Sequence, residues 1–206
     1  MKLKGNTMED FRTEISPDQD PELTEKKSGG VRRFLLDVME TIMLSLILFL
    51  AINAVSARIR IESISMQPTL YAGDFVIVNK VAYKIGSPSR GDVIVFHYPP
   101  DPDREPYIKR VIGLPGDTIS VQDRQVYIND VPLNEPYISA APAYEGAWTV
   151  PEDSLFVLGD NRNSSSDSHS WGTVPLGNVI GKAEVVYWPP AEWKVLNEAV
   201  AAAAGP

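Results

Sequence analysis

The 206-residue chain contains no cysteine. That absence removes disulfides, thiol nucleophiles, iron–sulfur clusters and thiolate-ligated zinc, and leaves stability to packing. Histidine is nearly absent too: His97 and His169 are the only two, far apart and without His-x-x-x-His spacing. A zinc enzyme is not expected, although a site built on carboxylates alone stays open. Cations are also short, with 19 Lys and Arg against 27 Asp and Glu and a net charge of −8. Neutralising phosphates takes a clustered excess of Lys and Arg, so nucleic acid is not expected as a partner. After the first quarter of the chain there is no long amphipathic helical pattern, and no repeat of about 20–50 residues is evident.

What is present divides into three parts. Residues 1–33 read as a flexible cytoplasmic tail, acidic around Asp18, Asp20, Glu22 and Glu25, with breakers at Pro17, Pro21 and Ser28-Gly29-Gly30. Residues 34–57 read as one transmembrane helix. Thr41 to Ala57 carries no charge, and with the flank back to Phe34 the stretch is about 24 residues, against the roughly 20 a spanning helix needs. A buried core helix has the same composition, but Arg32, Arg33 and Arg58 bracket this one as they would bracket a span. The polar stretch of some 30 residues that precedes it fits a cleaved signal peptide poorly. Lys26, Lys27, Arg32 and Arg33 outnumber Arg58 and Arg60, which puts the N-terminus in the cytoplasm and residues 58–206 on the trans side.

That third part holds short β-type runs at 75–78, 92–96, 118–121, 125–128, 155–158 and 179–188. Turn signals separate them, among them Ala72-Gly73-Asp74, Arg90-Gly91-Asp92, Pro115-Gly116-Asp117, Asn129-Asp130 and Gly159-Asp160-Asn161. The expected fold class is mainly β and antiparallel.

Three segments of this part carry reactive side chains. Ser63-Ile-Ser65-Met-Gln-Pro-Thr-Leu70 places hydroxyls on a bend about five residues beyond the span. In Tyr107-Ile-Lys109-Arg110-Val-Ile-Gly-Leu-Pro-Gly-Asp117 two adjacent cations interrupt an apolar strand. Strand neighbours point to opposite faces, so one of the two is expected inward. A buried lysine loses its proton readily, and neutral lysine is a base that can activate a serine hydroxyl without histidine. The third segment, Gly159 to Gly172, is a polar loop at the end of an apolar run, where binding groups gather.

In their order and detail these segments resemble type I signal peptidases, over roughly residues 35–190. Ser65-Met-Gln-Pro-Thr-Leu matches the nucleophile motif, Arg90-Gly-Asp-Val-Ile-Val-Phe a scaffold motif, Lys109 the general base, and Gly159-Asp-Asn-Arg opens the last motif. The resemblance implies a membrane-bound serine endopeptidase with a β-rich catalytic fold, no metal and no cofactor. Ser65 would attack the scissile carbonyl and Lys109 would act as base. Ser63 would contribute to the oxyanion hole, Ser165 would hydrogen-bond and orient Lys109, and Arg110, Asp160 and Asp167 would support the structure. The implied partners are signal peptides of exported preproteins, membrane lipid and the secretion translocon. The substrate would lie as an added strand, with small side chains selected one and three residues before the cut. Two positions depart from the pattern. Asn163 stands where Asp is common, and His169 where Arg is common, which makes a salt bridge from Asp167 depend on histidine protonation. Val55-Ser-Ala57 itself satisfies the small-x-small rule, which leaves self-release after Ala57 open.

Three alternatives stay open at this point. One is a Ser-His-Asp hydrolase using His97 or His169, although neither sits in a nucleophile elbow. Another is a Ser–Lys self-cleaving repressor-type protease, which the span and the lack of a DNA-binding helical segment disfavour. The third is a membrane-tethered domain that binds exported chains without cleaving them.

Overall fold

The computed structural model describes residues 29–196, in two compact units that divide between Ile47 and Leu48. The tail expected over residues 1–28 lies outside the described residues. Helix α1 (Gly29–Val55) is long and apolar enough to cross a membrane by length and composition. It begins at Gly29 rather than Phe34, because Val31-Arg32-Arg33 contains no breaker and simply continues the helix. It ends at Val55 rather than Ala57, because Ser56 and Ala57 are already committed to a strand. The last turn is capped from outside the helix. Ser56 Oγ donates to Ile52 O at 2.8 Å, Lys80 Nζ to Asn53 O at 3.1 Å, and Lys80 N to Val55 O at 2.9 Å. These donors take up carbonyls that a helix end leaves unpaired.

Twelve strands follow among the described residues: β1 (Ser56–Arg60), β2 (Phe75–Asn79), β3 (Val93–Phe96), β4 (Tyr107–Gly113), β5 (Thr118–Gln122), β6 (Gln125–Ile128), β7 (Val131–Pro132), β8 (Gly146–Thr149), β9 (Ser154–Leu158), β10 (Val174–Pro175), β11 (Val179–Trp188) and β12 (Lys194–Val195). Two four-residue helices, α2 (Ala82–Ile85) and α3 (Ser168–Trp171), lie between them. The larger sheet runs β1-β2-β11-β3-β4-β9-β10, with β12 paired to β11; the smaller runs β7-β6-β5-β8. Every pairing is antiparallel. The fold is therefore mainly β and antiparallel, as the alternating runs imply.

The chain reverses three times by the same device. In Tyr71–Asp74, Ser89–Asp92 and Leu114–Asp117 a glycine at the third position takes positive φ, 102°, 92° and 82° in turn. The aspartate that follows closes each turn twice: its N–H donates to the first residue's carbonyl, and its carboxylate accepts that residue's N–H. A side-chain carboxylate that satisfies a turn N–H is why Gly-Asp recurs here. The two-residue hairpin between β5 and β6 instead puts Asp123 and Arg124 at positive φ, where glycine or asparagine is usual.

Three apolar clusters form the core. One gathers Ile61, Met66, Leu70, Val76, Val78 and Val186 under the β1–β2–β11 side. A second joins the two sheets through Ile112, Ile119, Val126, Tyr137 and Phe156. The third packs Ile94, Phe96, Val111, Leu155 and Val157. Strand β4 lies between β3 and β9 in the middle of the larger sheet, and Ile108 through Gly113 are all buried.

Candidate active site

The central place of β4 changes the expectation for its two cations. Alternation predicts one of them inward, yet Lys109 is 4% exposed and Arg110 1%. Both faces of this strand are covered, so both side chains need partners. Arg110 finds a full set. Its Nε and Nη2 bind the two carboxylate oxygens of Asp160 at 2.8 and 2.7 Å, and Nη1 donates to Gly91 O at 3.0 Å. Its guanidinium also lies 4.1 Å from the centroid of the Tyr137 ring. Thr69 Oγ1 donates to Asp160 at 2.5 Å. A bidentate, multiply hydrogen-bonded pair of this kind is the form in which a buried charge is tolerated.

Lys109 has no carboxylate in hydrogen-bond contact. Its Nζ donates to Ser65 Oγ at 2.7 Å and to Ile108 O at 2.9 Å, and it stands 5.4 Å from the centroid of the Tyr107 ring. Burial pulls its pKa down to about 8, while the more distant carboxylates of Asp167 and Asp160 oppose the shift. At neutral pH a measurable fraction of the amine is therefore unprotonated.

Ser65 sits on the turn after Ile61, which Met66 and Leu70 pin to the core as fully buried side chains. Gln67 N donates to Ile64 O at 3.2 Å and Leu70 N to Met66 O at 2.8 Å. Ser63 Oγ lies 3.2 Å from Ser65 Oγ. The structure thus brings Ser63, Ser65 and Lys109 together across two elements.

The Gly159–Gly172 loop clamps this turn from the other side. Asn161 N donates to Ser65 O at 3.0 Å, and Asn161 Nδ2 to Ile64 O at 3.2 Å. The approach requires glycine at 159. A Cβ there would lie 2.5 Å from Ser65 O and 2.2 Å from Ser165 Oγ. The hydrogen bond expected from Ser165 to Lys109 is not made. The Ser165 hydroxyl is buried against Gly159 with no hydrogen-bond partner, and Lys109 spends its second bond on Ile108 O. Asp167 is wholly buried. It caps α3, accepts Gly159 N–H at 2.9 Å and meets His169 Nδ1 at 2.5 Å. Asn163 ties the loop to its neighbour, donating to Ala141 O and accepting from Ala143 N. Several supporting groups carried no sequence signal: Thr69 and Tyr137 around Arg110, and Glu135, which takes both terminal nitrogens of Arg162 at 2.8 and 2.6 Å.

A groove of about 660 Å³ opens at Ser65. It is lined by Ile59 to Ile64 and Glu105 to Lys109, together with Val95, Ser164 and Ser166; neither histidine lines it. Among the described residues β1 ends the larger sheet, and no strand pairs with its outer edge next to this groove. Ala57 and Arg58 lie within β1, opposite Val78 and Ile77. Among the described residues no group of three or more His, Asp or Glu side chains is placed to hold a metal.

Residues 35–188 match the model of a protein family described as signal peptidase, peptidase S26. The chain belongs to this family. It is accordingly a peptidase, a hydrolase of the signal peptidase type. Signal peptidase I of Leptolyngbya laminosa is 45% identical over 87% of this chain and 91% of its own length. A probable signal peptidase I-2 of a Synechocystis strain is 42% identical over 82% and 80%. The chloroplastic thylakoidal processing peptidase 1 of Arabidopsis thaliana is 33% identical over 87% of this chain and 57% of its own. The family match begins inside α1 and spans every strand through β11.

Proposed function

We propose that this signal peptidase is a Ser65–Lys109 serine endopeptidase, membrane-anchored by α1, that cuts exported preproteins after a small-x-small site. The observation that carries the reading is the 2.7 Å contact between a buried serine hydroxyl and a buried amine. Neutral Lys109 takes the Ser65 proton as Oγ attacks the scissile carbonyl. The developing oxyanion is held by the Ser65 backbone N–H and the Ser63 hydroxyl. The lysine ammonium then passes its proton to the leaving amine, and the same amine activates the water that releases the acyl chain from Ser65. Signal peptides lie along the free edge of β1 as an added strand, and the groove between Ile59–Ile64 and Glu105–Lys109 admits only small side chains near the cut. Ser165, which like Ser65 O packs against Gly159, orients the lysine once a substrate shifts the amine away from Ile108 O. Lys26, Lys27, Arg32 and Arg33, before α1 and in its first turn, keep the N-terminus in the cytoplasm and the catalytic unit on the trans side, where a translocon delivers its substrates.

The test is preprotein cleavage in detergent micelles with product termini sequenced. Ser65→Ala and Lys109→Ala should each lose about 10³-fold or more in rate, His97→Gln should cleave normally, and the cut should follow a small-x-small site. Full activity in Lys109→Ala would refute the reading.

A further inference from the structure

The groove at Ser65 carries charge that the dyad does not use. Besides Lys109, its lining includes one cation, Arg60, and two carboxylates, Glu62 and Glu105. All three residues are exposed, and among the described residues neither carboxylate has an ion-pair partner. The cation beside Glu105 in sequence is drawn elsewhere, the Arg104 guanidinium lying 5.8 Å from the centroid of the Tyr98 ring. Asp101 and Asp103, also exposed, add to the acidity of the connection between β3 and β4. The two lining segments run in one direction. Strands β1 and β4 are separated in the larger sheet by β2, β11 and β3, and each successive pairing is antiparallel, so β1 and β4 point the same way. Both lead to the 2.7 Å contact between Lys109 and Ser65. Glu62 stands three positions before Ser65 and Glu105 four before Lys109, which puts both carboxylates on the same side of the dyad. Ile61 turns its backbone groups inward, its N–H to Asp74 O and its C=O to Gly73 N, each at 2.8 Å. By strand alternation those of Glu62 face the other way, towards the groove.

Resting on the Ser65–Lys109 reading, which puts the residues before the cut in this groove, we propose that Glu62 and Glu105 set a charge preference in the substrate. They favour lysine or arginine, and disfavour aspartate or glutamate, at the fourth and fifth residues before the scissile bond. A strand added alongside neighbours that run its own way advances with them residue for residue, about 3.3 Å at a time. With the residue before the cut level with Ser65 and Lys109, the fourth comes level with Glu62 and the fifth with Glu105. Both lie beyond the small-x-small pair, so a long side chain is admitted there and its charge meets the carboxylates. Arg60, two positions further from Ser65 than Glu62, opposes the preference only further from the cut. Exposed ion pairs are individually weak and are screened by salt, so the outcome is a graded preference and not an absolute selection.

The test measures kcat/KM of the full-length enzyme, in micelles of an uncharged detergent, on one preprotein made with Lys, Gln or Glu at both positions. Wild type should rank them in that order, with the extremes about tenfold apart at low ionic strength and about twofold apart in ~0.5 M salt. The double variant Glu62→Gln, Glu105→Gln should hold the extremes within about twofold, and Glu62→Lys, Glu105→Lys should invert the order. Equal rates for the three substrates in wild type, or an unchanged ranking in the double glutamine variant, would overturn the inference. The wild-type ranking and its salt dependence need no variant, so the proposal stays open to refutation even if a substitution disturbs folding. The Gln substrate tests the dyad separately. Its cleavage by Ser65→Ala would remove the Ser65–Lys109 reading, whereas a dead Ser65→Ala together with equal wild-type rates removes the charge preference alone.

Discussion

Lys109 is asked to be both buried and basic, and the two demands have a thermodynamic cost. Its pKa in the folded chain, about 8, lies below its ordinary value of 10.5. Below pH 8 both folded and unfolded chains carry the proton, so the fold bears the whole penalty of a desolvated ammonium, about 3 kcal/mol for a shift of that size. As pH rises from 8 towards 10.5 the folded chain sheds the proton first and the penalty fades. Replacing Lys109 by Met, which fills a similar volume without charge, should therefore stabilise the protein by about 1–3 kcal/mol near neutral pH while abolishing cleavage. Thermal unfolding followed from pH 6 to 10 checks this, and the advantage should shrink above pH 8. Arg110 is the opposite case, since every nitrogen used is answered by Asp160 or Gly91. Asp160→Asn removes the carboxylate charge that answers two nitrogens of the buried guanidinium and should cost about 3–5 kcal/mol in chemical denaturation. A loss under 1 kcal/mol would mean that Tyr137 and Thr69 suffice.

At the scale of elements, the short β-branched runs, the Gly-Asp turns and the long apolar helix were legible in the sequence because each rests on a local rule. Three features were not. Strand β1 lies directly against the apolar run of α1, so Ser56 and Ala57 read as the end of the span; only pairing with β2 assigns them to the sheet. The burial of both Lys109 and Arg110 escapes alternation, which assumes one wet face, whereas β4 is covered on both faces and buried from Ile108 through Gly113. Glu135 is 27 residues from Arg162 in sequence, so nothing local announces their pair. The candidate dyad was legible for a different reason. A serine on a bend and a lysine inside an apolar strand are each locally anomalous, and their motifs match a known family in order. The Ser165 contact illustrates the limit of that route, because a matching position does not specify which hydroxyl the amine meets in the unliganded chain.

For the whole molecule, the antiparallel sheets bring together a turn at 63–65, a strand at 107–113 and a loop at 159–172, at the free edge of the strand that follows α1. The sequence separation of 44 residues between Ser65 and Lys109 is closed by the larger sheet, and the loop clamps the nucleophile's backbone in place. The most direct test of the account is to treat the full-length enzyme, in membranes, with a peptide-mimicking acylating reagent and to map the adduct by mass spectrometry across pH. The account predicts a single adduct on Ser65, forming faster as pH rises through about 8, the pKa of Lys109, and absent in Lys109→Ala. An adduct on another residue, or equal labelling of Ser65 without the lysine, would contradict it.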